Sequence, residues 1–213
     1  MPASIEIYGD SISGNCYKIQ LLCAQLGIAH AWHELDIMQG AARTDEFLAM
    51  NPNGKVPLLK LADGRVLPES NAIIYYLADG SPLFAGDRYA RANILHWMFF
   101  EQYSHEPFIA VARFIVRYLG NPPEQQARLA SKMPGGYRAL EIMNQHLVDN
   151  DFFANDSYSI ADIALYAYTH VAHEGGFDLG GYANVNAWLK RVEAQPGYVA
   201  MKTKGSEPIQ DHI

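Results

Sequence analysis

The chain has 213 residues, of which 49% are hydrophobic and 18% are charged, and its formal net charge is −7. This composition is typical of a globular protein and excludes a disordered chain. Nucleic acid is excluded as an expected partner because the chain is acidic and has no run of basic residues, whereas a phosphate backbone is bound by clusters of Lys and Arg.

The two cysteines and the N-terminal residues bear on the cellular compartment. Cys16 and Cys23 lie two turns apart on a predicted helix, beyond the roughly 7 Å between Cα atoms that a disulfide allows. The first residues have neither the basic nor the apolar segment of a signal peptide, and no stretch approaches the about 18 apolar residues of a membrane span. We therefore expect a reduced, cytoplasmic protein that does not associate with membranes.

The first part of the chain alternates between strand and helix patterns. In chain order we predict a strand at 5–8, a helix at 16–26, a strand at 29–35, a short helix at 44–50, strands at 56–61 and 66–67, and a helix at 70–79. Gly27 is expected to end the first of these helices, and Asp63-Gly64 forms the hairpin turn. Ser70 or Asn71 is expected to cap the last one. This order predicts a thioredoxin-like domain over residues 1–79.

The strand patterns end at residues 80–87, which have the composition of a linker. The rest of the chain predicts helices only, at 88–119 with a kink at Pro107, at 122–147 with an interruption at 134–136, at 160–173 and at 184–195. We therefore predict a helical bundle domain over residues 88–213. His170 and His173 are three positions apart, but no third ligand has matching spacing, so no metal site is expected.

The segment between the first strand and the first helix contains a candidate catalytic residue. A thioredoxin-like domain carries a Cys-x-x-Cys motif there, and in this chain Ser13 takes the first position and Cys16 the fourth. A helix N-terminus offers unpaired N–H groups and a partial positive charge, which stabilise a thiolate. Ser13 therefore either caps the helix or donates a hydrogen bond to the sulfur of a ligand.

Two further segments combine polar residues with a helix start or a strand start. Pro57 precedes a strand and is either an edge-strand proline or a cis proline that exposes the backbone of Val56 to an extended ligand. Glu69 is suited to accept from an ammonium group. Ser70 either caps the helix or offers its N–H to an anion.

Together these segments resemble the glutathione S-transferase family. Residues 51–59 read Asn-Pro-Asn-Gly-Lys-Val-Pro-Leu-Leu, and residues 69–77 fit Glu-Ser-x-x-Ile-x-x-Tyr-Leu. Residues 158–163 are similar to the internal capping box of the family, and residues 185–198 are similar to its closing segment. The resemblance covers nearly the whole chain.

The resemblance implies a glutathione site and a mechanism. The implied contacts are Val56 and cis-Pro57 with the cysteinyl unit, Glu69 and Ser70 with the γ-glutamyl group, and Lys55, with Arg43, near the glycyl carboxylate. Ser13 takes the position of the catalytic serine, which lowers the pKa of the glutathione thiol. Ser11, Asn15 and Cys16 remain alternatives for this role.

The family also implies a homodimer that conjugates glutathione, as co-substrate, to a small hydrophobic electrophile without a metal. Disulfide or peroxide reduction, isomerisation, and non-catalytic binding of glutathione are the alternatives. The electrophile pocket is expected between the domains, and its candidate residues share one predicted helix: Phe99, Phe100, Tyr103, His105 and Phe108.

Overall fold

A computed structural model describes residues 5–202, so the outermost parts of both predicted domains lie outside the described residues. The N-terminal elements are β1 (Ile5–Gly9), α1 (Gly14–Leu26), β2 (His30–Glu34), α2 (Asp45–Met50), β3 (Leu58–Lys60), β4 (Val66–Pro68) and α3 (Ser70–Ala78). The strands form one sheet in the order β2-β1-β3-β4. The pair β1 and β2 is parallel and the other two pairs are antiparallel, which confirms the predicted thioredoxin-like fold.

The remaining long elements are all helical, as predicted. They are α4 (Arg88–Phe100), α5 (Glu106–Arg113), α6 (Gln126–His146), α7 (Ile160–Thr169) and α8 (Ala183–Glu193). Two π-helical segments, Glu101–His105 and Phe114–Tyr118, flank α5. The first of them ends two residues before Pro107, where the sequence predicted a kink. Within the described residues, no helix is both long and apolar enough to cross a bilayer.

Helix α1 lies at the centre of the molecule and packs against α3 and against α7 of the helical bundle. Most of its apolar residues, among them Ile19 and Leu22, are fully buried. Gly27 ends the helix with a φ of 63°, a left-handed conformation that suits glycine. Because α1 contacts both parts of the chain, its N-terminus lies where the sheet and the bundle meet.

The predicted capping box at the start of α7 is present. The Ser159 hydroxyl accepts from the Ala161 N–H at 3.2 Å, and the Asp162 carboxylate accepts from the Ser159 N–H at 3.0 Å. Asp162 also accepts from the Trp188 indole of α8 at 3.0 Å. The motif therefore joins two helices of the bundle as well as capping one.

Three of the predicted helix boundaries were wrong. Helix α6 runs through Pro134 without a break, and α7 ends at Thr169 instead of near 173. The residue before α3 is Glu69, so neither Ser70 nor Asn71 is the cap. Ser70 is the first residue of the helix, and its hydroxyl makes tertiary hydrogen bonds instead.

Candidate active site

A cavity of about 450 Å³ opens between the sheet and the helical bundle, beside the N-terminus of α1. The residues predicted for catalysis and ligand binding all line it: Ser13, Arg43, Lys55, Val56, Pro57, Glu69 and Ser70. Asn15 lines it as well. Four separate loops and helix starts supply these residues, so the fold gathers segments that are distant in sequence into one site.

Ser13 and Cys16 have different surroundings at the start of α1. Ser13 lines the cavity, and its side chain makes no capping hydrogen bond to the helix. Cys16 is fully buried, and its sulfur accepts from the Asp10 N–H at 3.3 Å. Burial raises the pKa of the Cys16 thiol to about 12. A thiol in that environment stays protonated at neutral pH, which argues against Cys16 as the reactive group.

The loop before β3 carries the Val56–Pro57 peptide bond, which is cis, as expected. Asn51 holds this loop: its side-chain amide donates to the Lys55 carbonyl at 2.8 Å, and its carbonyl oxygen accepts from the Asn53 N–H at 3.2 Å. Strand pairing of β3 with β1 begins at Leu58, so Val56 lies outside the ladder, and it lines the cavity.

Glu69 has a φ of 73°, which is unusual for a residue with a side chain. Such a conformation costs on the order of 1–3 kcal/mol and is concentrated at functional sites. It turns the chain from β4 into α3 and brings Glu69 and Ser70 together on the cavity wall. Glu69 is exposed and free to meet an ammonium group, whereas Ser70 is buried.

A buried ion pair supports Ser70 from behind. Lys18 and Glu101 are both fully buried, with Nζ 2.9 Å from Oε2. Lys18 also donates to the Ser70 hydroxyl at 3.3 Å, and that hydroxyl donates to Asn15 Oδ1 at 3.1 Å. Asn71 completes the cluster by accepting from Lys18 and donating to Glu101. A buried charge needs such partners, so this network fixes the start of α3 against α1.

Two family models match the chain, one in each part. The family model described as glutathione S-transferase, N-terminal domain, matches residues 12–79, and the one described as glutathione S-transferase, C-terminal domain, matches residues 108–196. Glutathione S-transferase 2 of Anopheles gambiae is 30% identical over 192 residues, which cover 87% of this chain and 88% of the relative.

The chain belongs to the glutathione S-transferase family. The crystal structure of a glutathione S-transferase from Pseudomonas fluorescens is similar with a TM-score of 0.90 and 51% identity, over 92% of this chain and 98% of that one. The disulfide-bond oxidoreductase YfcG of Escherichia coli is 26% identical over 189 residues, covering 85% of this chain and 87% of the relative.

The bundle-side wall of the transferase cavity differs from the sequence-based expectation. Phe99, Phe100 and Tyr103 do not line this cavity but a separate surface groove on α4. His105 is fully buried, with Nε2 2.9 Å from the Thr169 hydroxyl. The apolar residues of the cavity wall come instead from α5 and the segment after it, namely Ala110, Val111, Phe114 and Tyr118. The π-helical segment at Glu101–His105 changes the helical register, which a regular 3.6-residue period does not predict.

Sequence reasoning also missed residues of the bundle that hold the loop before α1. Arg113 Nη1 donates to the Ile12 carbonyl at 2.8 Å, and the Tyr118 hydroxyl donates to Asp10 Oδ2 at 3.0 Å. Arg113 is itself paired with Glu174 at 2.7 Å. These residues are about 100 positions from the loop in sequence, so a local sequence pattern could not predict the contacts.

Proposed function

We propose that this protein is a serine-type glutathione transferase that binds glutathione as co-substrate, ionises its thiol and conjugates it to a small hydrophobic electrophile. One observation carries the proposal: the family-specific segments that contain Ser13, Val56–Pro57 and Glu69–Ser70 line a single cavity at the N-terminus of α1. The cavity also has apolar residues on its bundle side, as a hydrophobic second substrate requires.

The proposed glutathione site divides into three parts. The Val56 backbone pairs with the cysteinyl unit as an added strand would. Glu69 accepts from the γ-glutamyl ammonium, and the N–H of Ser70 at the start of α3 donates to the neighbouring carboxylate. Lys55 and Arg43, both exposed, attract the glycyl carboxylate. This orientation directs the cysteinyl sulfur to Ser13.

The proposed chemistry begins with loss of the thiol proton to solvent. A free thiol ionises near pH ~8.5, so most bound glutathione would be unreactive at neutral pH without help from the protein. The Ser13 hydroxyl and the positive end of α1 stabilise the thiolate. The sulfur then forms a bond to the electrophilic carbon, and the leaving group departs with the bonding electrons. Proximity supplies the rest of the rate enhancement.

The test is the ultraviolet difference absorbance of bound glutathione thiolate, titrated against pH. Wild type is expected to ionise the thiol one to two pH units below its solution value, and Ser13→Ala to lose this shift together with about 10²-fold in kcat/KM. Ser11→Ala and Cys16→Ala are matched controls that should keep both. The proposal fails if wild type binds glutathione without a lowered thiol pKa, and the role passes from Ser13 to Ser11, Asn15 or Cys16 if Ser13→Ala changes nothing.

Glutathione-dependent disulfide or peroxide reduction is the second candidate, favoured by the similarity to an oxidoreductase of Escherichia coli. Both reactions use the same thiolate, so the thiol titration does not separate them. A panel of halogenated arenes, mixed disulfides and hydroperoxides does. Turnover of the arenes supports conjugation, and turnover of the disulfides or peroxides alone supports reduction.

A further inference from the structure

A tyrosine of the helical bundle reaches the start of α1. Tyr168 belongs to α7 and lines the same cavity as Ser13. Its hydroxyl oxygen accepts from the Asn15 N–H at 3.3 Å. This N–H lies two residues after Ser13, in the first turn of the helix, where backbone N–H groups have no acceptor within the helix itself. The phenol therefore occupies the place where the helix would otherwise present a bare N–H to an anion.

Gly14 makes this approach possible. A Cβ atom at position 14 would lie 2.6 Å from Cε1 of Tyr168 and 2.7 Å from its Cζ, so any side chain there displaces the ring. The first residue of α1 is thus the glycine that the tyrosine ring requires. The contact joins the N-terminal domain to the bundle directly at the reactive end of the cavity.

Burial favours the protonated form of the Tyr168 phenol. Tyr168 is 7% exposed, and its burial, reinforced by the negative charge of Glu106, raises the pKa of the hydroxyl. Ser13, Arg113 and the Asn15 N–H act in the opposite direction but do not reverse the shift. The oxygen accepts from Asn15, and the Ser13 side chain lies within hydrogen-bond reach of the phenol. A sulfur anion beside Ser13 would therefore meet the O–H of Tyr168 as well.

We propose that Tyr168 is a second catalytic hydroxyl, which donates to the glutathione thiolate together with Ser13. Through its hydrogen bond from the Asn15 N–H, this hydroxyl also extends the electrostatic effect of the α1 N-terminus to the sulfur. The inference rests on the proposed function. An N–H that donates to a hydroxyl polarises that hydroxyl, so the chain from Asn15 N–H through Tyr168 O–H to sulfur is stronger than the isolated phenol contact. The thiolate would then be held by one hydroxyl from each domain.

The test compares the pKa of the bound thiol in wild type, Tyr168→Phe and Ser13→Ala by thiolate absorbance. Tyr168→Phe is expected to raise this pKa by about one unit, roughly a tenfold loss of ionisation. Binding of S-methylglutathione, which has no thiol to ionise, should stay within about twofold of wild type if the phenol acts on the sulfur alone. A structural role would instead weaken the binding of both ligands.

Two further variants separate loss of the Tyr168 contact from a general disturbance of α7. Gly14→Ala displaces the ring while keeping the hydroxyl, and it should reproduce the effect of Tyr168→Phe on the thiol pKa. Tyr166→Phe removes a hydroxyl from the same helix that bonds Glu193 and Tyr198 away from the cavity, and it should leave the thiol pKa unchanged.

The outcomes separate this inference from the proposed function. A wild-type pKa in Tyr168→Phe, with a raised pKa in Ser13→Ala, overturns the role of Tyr168 and leaves the serine-type mechanism intact. A raised pKa in Tyr168→Phe with no effect of Ser13→Ala supports Tyr168 and rejects Ser13. An unshifted thiol in wild type overturns both.

Discussion

Ser13 and Cys16 lie three positions apart at the start of α1, yet only the Ser13 side chain faces the cavity, whereas Cys16 is fully buried. The hydroxyl lines the cavity, while the thiol lies under the loop and accepts from Asp10. A sequence pattern ranks such neighbours only by spacing. Burial decides between them, because desolvation holds the Cys16 thiol in its neutral form.

His105 shows the same effect of burial on a residue that the sequence suggested for the electrophile pocket. Thr169 donates to the Leu165 carbonyl, so its hydroxyl oxygen accepts from His105 Nε2. Among the described residues, His105 Nδ1 has no hydrogen-bond partner. A proton added to Nδ1 would therefore have no acceptor. Burial, with a smaller effect of the Lys18 charge, lowers the pKa of His105 to about 3.

This shift predicts a pH dependence of stability. The folded-state pKa lies below the unfolded value near 6.5, so the stabilisation is fully present above pH 6.5 and is lost as pH falls below it. Between pH 6.5 and 5 the loss from His105 should be about 2 kcal/mol. Urea unfolding at several pH values should show a shallower dependence for His105→Gln. His173→Gln changes an exposed histidine and is the control; equal slopes for the two variants would contradict the prediction.

At the scale of elements, helix α6 shows why a Pro-Gly-Gly sequence was misread as a break. The helix continues through it, and the glycines allow close contacts with neighbouring segments. A Cβ at Gly135 would overlap the Phe108 ring of α5, and one at Gly136 would overlap the Phe177 ring. Close approach of neighbouring elements, rather than a turn, requires glycine at these positions.

Gly136→Ala is therefore expected to destabilise the protein by about 1–3 kcal/mol, through overpacking against the buried Phe177. Without that contact the same change within a helix would stabilise by up to about 1 kcal/mol, so the sign of the effect is the test. Chemical denaturation measures it. Combining the change with Phe177→Leu should recover part of the loss, and a stabilised Gly136→Ala single variant would show that the overlap is absent.

At the scale of the whole molecule, we propose the surface groove on α4 as the contact of the homodimer that the sequence resemblance implies. Its aromatic residues are unusually exposed in one chain: Phe99 is 69% and Tyr103 is 85% accessible. The groove is lined mainly by apolar side chains of a single helix and the π-helical segment after it. Exposed apolar surface of this kind marks a protein interface, and a second copy of the chain is the partner the family implies.

Phe99→Glu is expected to convert a homodimer into monomers, because the charge would be buried without a partner at the interface. Size-exclusion chromatography with light scattering measures the mass. Val148→Glu places the same charge on an exposed apolar residue outside the groove and should leave the mass unchanged. A wild-type protein that is already monomeric would rule out the homodimer.

The amino-acid sequence by itself determined the order of strands and helices, the hairpin, the capping box of α7 and the segments that contain Ser13, Val56–Pro57 and Glu69–Ser70. These features depend on local patterns: apolar periodicity, turn residues and motifs of a few consecutive residues. Nothing in them required knowledge of which residues are neighbours in space.

Only the tertiary structure decided which side chains surround the end of the cavity at Ser13. The Lys18–Glu101 pair, the contact of Tyr168 with α1 and the anchoring of the loop by Arg113 join residues 83 to 153 positions apart. Packing around α1 also buries the Cys16 thiol, and this burial raises the pKa of the thiol. Such contacts arise from packing between the two domains, and packing depends on the whole chain rather than on a local pattern.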